Sequence, residues 1–180
     1  MNRSNSIHKY PVRAIAYCVQ SVEAAARQHS AVFGSGPFFS IPDVTSSIQL
    51  RGRDSRFNQS TAFGQWGSQM VEFIQQNPGS DPLVQEVFPF ALQGTLHHLS
   101  IVVDDFDGNR EHLRRSGLDE ILRIQFGEGM EASFFDTRKL YGHLLQLYPA
   151  TPQMVGFFKM ISDASESWNG EEPFRLLRRP

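Results

Sequence analysis

The chain has 180 residues, 40% of them hydrophobic and 20% charged, and a single cysteine, Cys18. That length suits one domain with a core of its own, and one cysteine excludes an intramolecular disulfide or a thiolate-rich zinc cage. A net charge of −2 withholds the positive field that drives binding to phosphate backbones, and no apolar run reaches the roughly eighteen residues needed to cross a bilayer, so neither nucleic acid nor a membrane is an expected partner.

The opening segment MNRSNSIHKYPVRA offers no apolar stretch before Tyr10 that could form a signal-peptide core, and with the cysteine usage this points to a cytoplasmic protein. A strand is expected from Val12 to Val19, then a helix over SVEAAARQHSAVFG, which Ser21 can cap and Gly34 can end. GPFFSIPDV, TSSIQLRG, FNQSTAFGQWG and SQMVEFIQQ follow as four segments rich in β-branched and aromatic residues, separated by turn-forming residues. NPGSDPLVQEVFPFALQG, with three prolines, reads as a connecting arm holding one short helix.

The order then recurs. TLHHLSIVVDD is a strand, and FDGNREHLRRSGL is a helix that Asp105 can cap and Gly117 can terminate. EILRIQFGEG, MEASFFDTR and YGHLLQLYP are further strands, and TPQMVGFFKMISDA is a final amphipathic helix. The chain thus divides into a first βαβββ module at 12–78, an arm at 79–94, a second module at 95–150, a C-terminal helix at 151–166 and a polar, poorly ordered tail at 167–180. The clusters Arg51, Arg53, Arg56 and Arg175, Arg178, Arg179 read as solvated surface.

Superposing Ala14–Val19 on His98–Val103 aligns apolar Ile15, Tyr17 and Val19 with Leu99, Ile101 and Val103. Neighbouring strand residues face opposite ways, so these can pack under the helices while Ala14, Ala16 and Cys18, with His98, Ser100 and Val102, face the other side. The same alternation puts Glu72 with Met70 and Ile74, and Gln146 with Leu144 and Tyr148. Curled sheets would then gather Ala14, Glu72, His98 and Gln146 around one hollow. His97, by parity, points away and reads as structural.

Four pieces in this order, AIAYCVQSVEAAARQHSAVFGSGPFF, FGQWGSQMVEFIQ, GTLHHLSIVVDDFDG and FFDTRKLYGHLLQLYP, resemble segments of the glyoxalase / bleomycin-resistance / dioxygenase (vicinal oxygen chelate) superfamily, near its methylmalonyl-CoA-epimerase-like proteins. The resemblance spans roughly residues 12 to 150. It implies an α+β fold in which two βαβββ modules form curled mixed sheets around a cleft. It also implies a divalent metal on a His, Glu, His, Glu set, whose positions fall here on Ala14, Glu72, His98 and Gln146. Only Glu72 and His98 match, so the metal is expected to be weak or absent.

No Gly-rich phosphate loop is present, and no nucleotide cofactor is expected. The resemblance implies an isomerase, epimerase or lyase that moves a proton next to a carbonyl of a small, mainly hydrophobic substrate. Glu72 would be the base, and His98 and Gln146 would hold the developing oxyanion. The alternatives are a small-molecule-binding protein that has lost the chemistry and, with less support, a ring-cleaving dioxygenase, which wants a second matched histidine. Tyr17, Phe63, Trp66, Phe135 and Tyr148 are candidate pocket walls, although aromatics at strand spacing are more often core. Arg138 and Lys139 fit a charged turn better than an anion site, and Cys18 fits a small buried hydrophobe. Open sheet edges suit a homodimer.

Overall fold

The computed structural model describes residues 7–88 and 94–177. Residues 1–6 of the opening segment, residues 89–93 of the arm, and Arg178 and Arg179 lie outside the described residues.

The first module runs β1 (Val12–Cys18), α1 (Val22–Phe33), β2 (Phe38–Leu50), β3 (Arg53–Trp66) and β4 (Gln69–Gln76). The second runs β5 (Thr95–Val103), α2 (Phe106–Arg115), β6 (Glu120–Gly127), β7 (Met130–Phe135), the short α3 (Arg138–Tyr141) and β8 (Leu144–Pro149). The chain continues into α4 (Pro152–Glu166) and β9 (Phe174–Leu176). The helix ends follow the sequence signals. The Ser21 hydroxyl accepts from the Ala24 N–H at 3.2 Å, Asp105 accepts from Gly108 at 2.9 Å, and Gly34 closes α1 at φ 65°, a conformation that costs glycine little.

Two expectations are corrected. GPFFSIPDV and TSSIQLRG are one continuous strand, β2, because the irregularity at Ile41–Val44 is absorbed as a register shift against β3 instead of breaking the ladder. The tail is not wholly irregular either: β9 pairs in parallel with the first residues of β2, Phe38 opposite Phe174, and Phe174 packs against the cluster under α1.

The sheet order is β3-β4-β1-β5-β8-β7-β6-β2-β9, and β2 also pairs with β3. Strands β1 to β8 therefore close into a ring. The corresponding strands of the two modules meet at the two seams, β1 with β5 and β2 with β6, both antiparallel. Closure pairs β1 to β8 with one another, and β9, which pairs with β2 alone, keeps an open edge.

The ring separates two environments. Outside, Val22 and Ala26 of α1 cover Phe38, Val71 and Phe73, while Leu113 on α2's buried face joins Ile101, Val103, Phe135 and Leu147. Inside, Ala14, Ala16, Phe57, Met70, Phe134 and Leu144 belong to the largest core cluster. Two further pieces enter that cluster: Met154, Phe158 and Ile161 of α4, and Val84, Val87 and Phe88 of the arm, which carries a 3-10 turn at Pro82–Glu86. No helix among the described residues is long and apolar enough to cross a membrane.

Candidate functional site

Strand pairing brings the predicted residues to one place. Glu72 on β4 lies opposite Ala16 on β1, and Ala16 lies opposite His98 on β5. Because Ala16 carries only a methyl group, the two long side chains can meet above it, and His98 Nε2 comes to 3.5 Å from Glu72 Oε2. One rung along, Ala14 is opposite both Met70 and Ser100, and Ser100 is opposite Gln146 of β8. The Ser100 hydroxyl donates to Gln146 Oε1 at 2.5 Å. Glu72, His98 and Gln146 are 5%, 0% and 1% exposed.

Burial decides the charge states. It pushes the Glu72 carboxyl up to about 8 and the His98 ring down to about 3, with Gln146 opposing the second shift and His143 adding to it. The close pair is therefore two neutral groups at neutral pH and not an ion pair. Burial also lifts the Tyr148 hydroxyl well above its usual range, and lifts the Cys18 thiol to about 12 with help from the Glu72 charge, so Cys18 is no nucleophile. Glu72 Oε2 and His98 Nε2 have no hydrogen-bond partner of good geometry among the described residues, which is costly at such burial unless they pair with each other or a ligand.

His97 does not point away from the site, as strand alternation predicts, but into it. Along β1 the ladder passes from Ala16–His98 to Tyr17–Leu96 and skips His97, a bulge that turns the side chain inward. His97 Nδ1 sits 2.8 Å from His98 Nδ1, and His97 Nε2 sits 2.7 Å from the Val87 carbonyl of the arm. Phe88 stacks on the His97 ring with centroids 4.4 Å apart, and Phe134 meets the His98 ring edge-on at 5.1 Å. Two adjacent histidines were the available signal; the bulge that makes both face inward depends on pairing with β1.

The candidate pocket residues do not stay together. Phe63 and Tyr148 are inside, against Phe157 and Phe158 of α4. Tyr17 packs under α1 beside Phe73, and Phe135 lies in the cluster by α2, both on the outer side. Trp66 is 42% exposed and stands against Phe33 and His29 near the end of α1. Arg138 binds Asp136 and the Glu86 carbonyl, tying the arm to the turn before β8. A surface groove of about 280 Å³ lies elsewhere, between Ser47 and Gln49 of β2 and Arg123 and Gln125 of β6, and none of Glu72, His98 and Gln146 borders it.

Comparison with known proteins gives a family and a fold. The family model described as Glyoxalase/Bleomycin resistance protein/Dioxygenase superfamily matches residues 13–134. A hypothetical protein of Bacillus halodurans is similar in structure with a TM-score of 0.55 at 14% identity, covering 81% of this chain and 97% of its own. Methylmalonyl-CoA epimerase from Mycobacterium tuberculosis is similar with a TM-score of 0.51 at 14% identity, covering 81% of this chain and 91% of its own. No curated protein matches the sequence.

Members of that family commonly use a divalent metal. The residues at the corresponding positions do not fit a tight site of that kind. Ala14 has no donor atom, Gln146 Oε1 is engaged by Ser100, and burial favours the protonated form of Glu72, which leaves fewer than the three or four good donors such sites use.

Proposed function

The chain belongs to the Glyoxalase/Bleomycin resistance protein/Dioxygenase superfamily, and from that membership we propose that it transfers a proton next to a carbonyl of a small, mainly hydrophobic substrate, as an isomerase, epimerase or lyase, with Glu72 as the acid–base group. The observation that carries this reading is a carboxyl raised to about 8 inside an apolar chamber, 3.5 Å from an imidazole. A group titrating near working pH can both take and return a proton, which is what an efficient general acid–base needs. Gln146 supplies a neutral amide where an enolate-like oxygen would gather charge. The similarity in fold to methylmalonyl-CoA epimerase makes branched acyl-CoA thioesters a sensible first substrate class.

The reaction can be read directly as isotope uptake. Incubated in D₂O with a panel of 2-substituted acyl thioesters and 2-keto acids, the protein should place deuterium on the carbon beside the carbonyl of one of them. Uptake should climb as pH rises through about 8, where Glu72 ionises, and Glu72→Gln should abolish it while leaving substrate binding in place. Uptake that survives in Glu72→Gln, or is absent from the whole panel with the unaltered protein, rejects the assignment.

A second reading is a binding protein without turnover, favoured by Ala14, which has no donor atom, and Gln146, a neutral amide, at two of the four ligand positions; retained ligand binding without isotope uptake is its signature. A cytoplasmic location and a homodimer remain part of the proposal, the latter decided by the molar mass in solution.

A further inference from the structure

We infer that His97 and the Val87 carbonyl are positioning groups that fix the tautomer of His98, so that His98 turns toward Glu72 a bare Nε2 able only to accept a hydrogen bond. The inference deepens the proton-transfer reading of this site and rests on it for its catalytic meaning.

A carbonyl oxygen only accepts, so the 2.7 Å contact with Val87 requires a hydrogen on His97 Nε2. A neutral imidazole carries one such hydrogen, so His97 Nδ1 is bare. At 2.8 Å from it, His98 Nδ1 must donate, since two bare nitrogens or two N–H groups would repel at that distance. That uses the single hydrogen of a neutral His98 and leaves its Nε2 as a lone pair. The reverse order needs a doubly protonated His97, a cation buried against Phe88 and Phe134, and burial, the neighbouring His98 and Arg138 all oppose it.

The consequence is chemical. His98 Nε2 lies 3.5 Å from Glu72 Oε2, longer than a good hydrogen bond, so a proton passing between them starts on the carboxyl. In this tautomer a neutral His98 has no hydrogen on Nε2 to donate to a developing oxyanion. Gln146 Oε1 accepts from Ser100, which leaves the amide N–H₂ of Gln146 as the donor for that role. The arm thus sets the polarity of the site although it contributes no side chain to the reaction.

The test is ¹⁵N NMR of the full chain with labelled histidine. The unaltered protein should show a one-bond N–H coupling at His98 Nδ1 and none at His98 Nε2. In His97→Phe, which removes the acceptor, the His98 hydrogen should move to Nε2. In His97→Asn, whose amide oxygen replaces the Nδ1 lone pair, it should return to Nδ1. A hydrogen on His98 Nε2 in the unaltered protein overturns the inference without any variant, and an unchanged His98 tautomer in a folded His97→Phe overturns the positioning role. Isotope uptake by the same samples keeps the two proposals apart: a correct tautomer with no uptake rejects the proton-transfer reading, whereas uptake with the wrong tautomer rejects only this inference.

Discussion

Ala16 is the smallest residue of the site and decides whether it exists. Glu72 and His98 sit on strands on either side of β1, about 9–10 Å apart at the backbone by ordinary strand spacing, and their side chains meet only because nothing larger than a methyl stands between. Ala16 is fully buried. Ala16→Leu should therefore force Glu72 and His98 apart and lower stability by about 1–3 kcal/mol through overpacking. Urea denaturation with an unchanged slope and a lower midpoint would show it; an unshifted midpoint would mean that the chamber has room to spare. Sequence alternation placed Ala16 on the same side as His98, but only the register revealed that it shares a rung with Glu72.

At the scale of elements, α4 matters most for access. Thr151 caps it through the Met154 N–H at 3.2 Å and is itself held by the Gly129 carbonyl at 2.6 Å, and Pro152 occupies the first turn, where its missing N–H costs nothing. Met154, Phe158 and Ile161, at helical spacing, then share one face turned into the ring. Phe158 is 4% exposed and touches Tyr148 edge-on. Phe158→Ala should cost about 3–5 kcal/mol, the usual range for a buried ring replaced by a methyl, and chemical denaturation measures it. A loss below about 1 kcal/mol would indicate that α4 rests on the ring without being part of its core. The helix itself was legible from its amphipathic period; that it fills the space between the modules was not, because periodicity says that a face is apolar without saying what it meets.

For the whole molecule, the buried titratable groups set a stability profile. Glu72 in the folded chain, at about 8, lies above its usual 4.5, so the folded state keeps a proton that the unfolded chain has lost, and stability falls as pH rises between those values. His97 and His98, at about 3, lie below their usual 6.5, so the unfolded chain binds protons that the folded one refuses, and stability rises with pH across that window. Where the windows overlap, two histidines outweigh one carboxyl, so these three groups place the maximum near pH 6.5, with a decline of about 1 kcal/mol toward pH 8. Denaturation midpoints measured from pH 5 to 9 check this. Glu72→Gln should flatten the alkaline decline, and a decline that persists unchanged would show that another group causes it.

The sequence by itself determined what is local or repeated: the capped helices, the duplicated strand–helix order, the family resemblance, and the parity that turns Glu72, His98 and Gln146 inward. Alternation along a strand is a property of the backbone, so it could be read from residue spacing alone. The closure of eight strands into a ring, the fusion of two segments into β2, the docking of β9, the bulge at His97 and the loss of charge on Glu72 and His98 were decided only by tertiary structure. Each depends on partners distant in sequence, through pairing register or through exclusion of water, and neither of these is encoded in the spacing of residues along one strand.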